Sequence, residues 1–174
     1  MRRVILPLFV GILFLTLQTT LFASLPIQRI RPDIVLILTL YLGLYYSPIS
    51  GGILAFLMAF LMDLYSGNSF GLYTLSRTFL FCVAQFLKDR VYLENFSSQF
   101  LLGFIFTLFE GLLILLLLNV LNPEPLGHLY FLVFTFLLPQ SFFTGLVTPM
   151  LFYLFNKGSS LLVNQHGMGI RERA

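Results

Sequence analysis

Six long apolar runs, at residues 4–25, 33–46, 49–65, 72–87, 97–121 and 129–155, leave this chain of 174 residues few ways to fold. A helix of about 20 apolar residues crosses the ~30 Å hydrocarbon core of a bilayer, and it satisfies its backbone hydrogen bonds within one segment. Charged residues are 10% of the chain, where a soluble domain carries about 25%. Hydrophobic residues make up 58% and the mean hydropathy is +0.93. The runs are too many for one water-surrounded core. The expected fold class is all-α: a polytopic membrane protein, one membrane domain over residues 1–174, built as a six-helix transmembrane bundle with short loops.

The first run follows Arg2 and Arg3, and at 22 residues it exceeds the apolar core of a secretory signal, so it reads as an uncleaved span. The run at 33–46 is short, with Pro32 and Asp33 suited to a helix start. The last run holds Pro139 and Pro149, where kinks are expected, with Gln140, Ser141, Thr144 and Thr148 near to satisfy freed backbone groups. From Asn156 onward the chain reads as a polar tail. With the N-terminus inside, Arg2, Arg3, Lys88, Arg90, Lys157, Arg171 and Arg173 are cytoplasmic, and only Arg29 and Arg31 are outside. That excess predicts both termini in the cytoplasm, on the inner side of a membrane crossed several times. The net charge of +3 flanks the apolar runs and forms no patch, which argues against a nucleic-acid partner and leaves membrane lipid as the surrounding medium.

Within residues 51–71, small side chains recur at Gly51, Ala55 and Ala59, and the next step of four lands on Asp63. Steps of four stay close to one helix face, so the stripe forms a seam that another helix can approach closely. Gly52 widens it, and Gly67 and Gly71 allow a tight turn after Asp63. The seam reads as a helix-packing and partner-docking surface. The plainer alternative is that Asp63 sits at the interface and caps the turn.

Charges at membrane depth are costly and normally face protein or water. Arg77 lies about 9 Å inside its run and is the one basic residue at that depth. It is the natural partner for Asp63, Glu110 or both, giving an expected intramembrane network of Asp63, Arg77 and Glu110. Gly103, Thr107 and Gly111 share a side with Glu110.

Catalytic and metal chemistry find little support. There is no HExxH, P-loop or GxSxG pattern, and His128 and His166 stand far apart. No catalytic residue, metal ligand or cofactor is expected. The lone Cys82 offers no disulfide or CxxC pair and reads as a small packed residue.

Pro32 opening a short helix, the run YLGLYYSP at residues 41–48, Gly51 and Gly52, Ala55 and Phe56, Asp63 and Leu64, then Gly67 and Gly71 together resemble the bacterial rod shape-determining protein MreD family. Length, six predicted spans and short loops agree along the chain. One departure is Ala59 and Phe60, where the family pattern carries a glycine. The resemblance implies a non-enzymatic member of the cell-elongation machinery, the elongasome of peptidoglycan synthesis. It would associate with a bitopic MreC-like partner, and through it with MreB-like, RodA-like and class B penicillin-binding proteins. It also implies an architecture similar to the S components of energy-coupling-factor transporters. The competing expectation is accordingly a small-molecule-binding S component of a vitamin transporter.

Overall fold

Charged and hydroxyl side chains are buried together with an apolar core in this protein, and large apolar side chains also cover its exterior. The computed structural model describes residues 32–66, 71–88, 90–91, 95–121 and 131–168, with side chains as far as residue 157. Among them run five α-helices: α1 Ile34–Tyr45, α2 Pro48–Ser66, α3 Leu72–Leu87, α4 Phe96–Leu121 and α5 Leu138–Met168, the last entered through a π-helical turn, Val133–Leu137. The expected span at 4–25 lies outside the described residues.

Three stretches are long and apolar enough to cross a membrane: Pro48–Tyr65, Phe96–Val120 and Val133–Lys157. The helices α1 and α3 are apolar but shorter. At 1.5 Å per residue, the 12 residues of α1 span roughly 18 Å, short of the ~30 Å core. Ten consecutive residues of α1, from Val35 to Leu44, are buried, so this helix is enclosed by the others. It packs on α2, α3 and α5, while the two most extensive pairings are α4 with α5 and α2 with α3.

Each long helix carries a stripe of exposed apolar side chains at steps of three and four. On α4 these are Leu101, Ile105, Phe109, Leu112, Leu116 and Val120. On α2 they are Ile49, Ile53, Phe56, Leu57, Phe60 and Leu64. The opposite face of α4 buries Thr107 and Glu110. Apolar area this continuous belongs against lipid. Five buried hydroxyls are satisfied within their own helices: Thr39, Thr107, Ser141, Thr144 and Thr148 each donate to the carbonyl four residues back, at 2.7–2.9 Å.

Two expectations are corrected here, the end of the last helix and the packing of Cys82. The chain does not leave its helix at Asn156: α5 continues to Met168, because no proline follows Pro149 to stop it. Pro149 lies within continuous helix. The irregularity sits before Pro139, where the Leu138 N–H reaches back to Val133 O in a wider turn. Proline lacks the N–H and crowds the carbonyl one turn earlier, and the π turn lies over that turn. Finally, Cys82 is exposed on α3 and not packed.

Candidate functional site

Arg77, on α3, is fully buried, and no part of its side chain reaches the surface. Its Nε donates to Glu110 Oε1 on α4 at 2.9 Å, and its Nη2 pairs with Asp33 Oδ2 at the start of α1. The guanidinium also lies over the Tyr73 ring, 5.4 Å from its centroid. Asp33 uses its second oxygen, Oδ1, to cap α1 by accepting from Leu36 N at 2.9 Å. The Asp33 N–H donates in turn to Thr144 Oγ1 on α5 at 3.2 Å. One ion cluster and its neighbours therefore join α1, α3, α4 and α5.

Charge burial of this kind is favourable only where bonds are well made. Removing one partner of a buried pair typically costs about 3–5 kcal/mol. Nη1 of Arg77 is buried with no hydrogen-bond partner. An unmade bond of this sort costs about 1–3 kcal/mol, so the cluster is strong yet incomplete.

Asp63 is not in this cluster. It accepts from Tyr73 N at 2.9 Å and Thr74 N at 2.8 Å, and it also binds the Thr74 hydroxyl. These are the second and third backbone donors of α3, which a capping side chain normally satisfies. The residue at the cap position is Gly71, with φ of 95° and no side chain to offer. The left-handed backbone there requires glycine, and Asp63 supplies the missing acceptor from α2. The expected Asp63–Arg77–Glu110 network is thus corrected: Arg77 bonds to Asp33 and Glu110, and Asp63 caps the next helix.

The missed member is Asp33. Its signal lies in length. A 12-residue helix beginning after Asp33 and ending at one membrane surface is too short to reach the other, which leaves Asp33 at the depth of Arg77.

The seam of Gly51, Gly52, Ala55 and Ala59 packs helices, and the chain's own helices fill it. A Cβ at Gly51 would meet Leu42 O, the Phe81 ring and Tyr46 Cβ, each at 3.1 Å. One at Gly52 would meet the same ring at 3.4 Å, and Ala55 and Ala59 are buried. Phe81 of α3 occupies the space that the missing side chains leave. A second close approach joins α4 to α5, where a Cβ at Gly145 would lie 3.0 Å from Phe100 O. Gly67 lies outside the described residues. Among the described residues no group of histidine, cysteine, aspartate or glutamate forms a metal site.

Outward apolar stripes around a buried arginine held by two carboxylates define an integral membrane protein of the helical class. A family model described as rod shape-determining protein MreD matches residues 1–158, nearly the whole chain. The chain belongs to the MreD family, whose role is in rod shape determination. No curated protein and no solved structure matches it.

Proposed function

We propose that this protein is a non-enzymatic membrane scaffold of the bacterial cell-elongation complex. In this reading it is a six-span bundle, multi-pass in the cytoplasmic membrane, with both termini inside. It holds an MreC-like bitopic partner and so connects MreB-like filaments to RodA-like and class B penicillin-binding enzymes. The family match over residues 1–158 carries the reading. The geometry supports it, since the charged side chains at membrane depth bind the chain's own helices and leave a broad apolar exterior to meet other transmembrane segments. The test is depletion in a rod-shaped host together with gentle purification. Rounded cells and co-purification of the MreC-like protein are expected. Normal rods with no such association would refute it.

A second reading is a small-molecule-binding S component of a vitamin transporter, architecturally like those of energy-coupling-factor systems. One observation favours it: a cavity of about 230 Å³ beside Glu110. Uptake of a vitamin, restored only when this chain is co-expressed with energising subunits, would select it.

A further inference from the structure

The same cavity lies where α1, α3 and α4 meet the π turn before α5, and it has two unlike ends. Its polar floor includes Asp33, Glu110, Thr107 and Gln140. Its apolar wall includes Ile114 and Leu115, four and five residues beyond Glu110 on α4, and Phe136 and Leu137 from the π turn. Glu110 is 4% exposed, and what remains exposed borders this space. Its Oε1 is taken by Arg77, while Oε2 carries no hydrogen bond among the described residues. The Thr107 hydroxyl gives its proton to Gly103 O, which leaves its oxygen able to accept. The floor is thus rich in acceptors. Its charges are also unbalanced, because Asp33 and Glu110 carry two formal negatives against the single positive of Arg77. An ammonium entering this floor brings the formal charges to two of each sign.

We propose that this cavity is a binding site for a primary alkylammonium group, the ammonium seated on Glu110 Oε2 and the alkyl shaft against Ile114, Leu115 and Phe136. An ammonium has three N–H donors and suits a floor of acceptors, whereas a carboxylate or phosphate would be repelled. A quaternary ammonium has the charge without the donors. At roughly 30 Å³ for each water-sized group, the space takes about seven non-hydrogen atoms, the size of hexylammonium. The group can belong to a free amine or to an aminophospholipid headgroup. The inference stands apart from the scaffold reading, and its failure leaves the rod-shape phenotype untouched.

The experiment titrates purified full-length protein in detergent with hexylammonium, hexyltrimethylammonium and hexanol, reading the thermal unfolding midpoint. Hexylammonium is expected to raise the midpoint at concentrations at least tenfold below those of the other two. Leu115→Phe fills the apolar wall without touching the ion cluster and is expected to abolish the response, with Ile114→Phe as a second variant should the first not fold. Equal responses to hexylammonium and hexyltrimethylammonium, or an undiminished response in the folded wall variant, overturn the proposal. Native mass spectra of the parent identify the source: a retained aminophospholipid assigns the headgroup, and bare protein that still responds to hexylammonium assigns a free amine.

Discussion

Replacing Arg77 by methionine tests the ion cluster most directly. Methionine keeps the apolar stem of the side chain but leaves Asp33 and Glu110 buried without their shared cation. Breaking such a pair costs about 3–5 kcal/mol. Methionine also removes Nη1, the donor that has no partner, and its own penalty of about 1–3 kcal/mol. The expected net loss therefore lies near the lower end, about 3 kcal/mol. At about 2–4 °C per kcal/mol for a chain of this size, the unfolding midpoint drops by about 6–12 °C. The triple variant Arg77→Met, Asp33→Asn, Glu110→Gln neutralises all three groups at similar volume, and asparagine still caps α1 through Leu36 N. It is expected to recover most of the loss, since neutral isosteres of a buried ion cluster are often tolerated. The assay is helical ellipticity against temperature in one fixed detergent. A single variant within about 1 kcal/mol of the parent would refute the reasoning, as would a triple variant worse than the single.

The other predictions follow from the same contacts. Asp63→Ala removes a cap and is expected to cost about 1–2 kcal/mol, well short of the loss from a severed buried ion pair; a loss as large as that of Arg77→Met would return Asp63 to the cluster. Ala59→Leu pushes a larger side chain into a seam already closed, so the midpoint should fall by the equivalent of about 1–3 kcal/mol; full thermal stability combined with lost partner association would restore the seam as a docking groove. Gly103→Ala places a methyl against Thr148 Cβ at 2.8 Å and Gly145 Cα at 3.2 Å, and a shift of about 1–3 kcal/mol in unfolding is expected between α4 and α5. An unchanged midpoint there would mean that the two backbones are less tightly apposed.

Helix positions were legible because apolar runs and turn residues mark them independently of packing. The run at 72–87 became α3 with the same limits, and 97–121 differs from α4 by one residue. The C-terminal limit of α5 was not legible, since a helix can outlast its apolar stretch where nothing breaks it. The choice of partner for Arg77 was illegible for a different reason. Asp33, Asp63 and Glu110 are all acids at plausible depth, and depth alone ranks them poorly. What separated them was Gly71: a cap position without a side chain draws Asp63 to the backbone of α3 and leaves Arg77 to the other two. That competition is three-dimensional, although the glycine at its origin is visible in the residue string. The seam shows the same limit, because small side chains every fourth residue announce a close neighbour without saying that Phe81 of the same chain is that neighbour.

The enclosure of α1 bears on how the protein is made. Tyr41 meets Phe152 edge-on and Phe155 at a tilt, and the Asp33 N–H waits for Thr144, which lies 111 positions further along. At synthesis rates of about 5–20 residues per second, those groups leave the ribosome some 5–20 s after α1 does. During that interval a helix too short to cross the bilayer keeps an unfinished seat among its earlier neighbours. The final packing of the centre is therefore the last event of biogenesis, and a ribosome that stops early leaves the middle of the protein open.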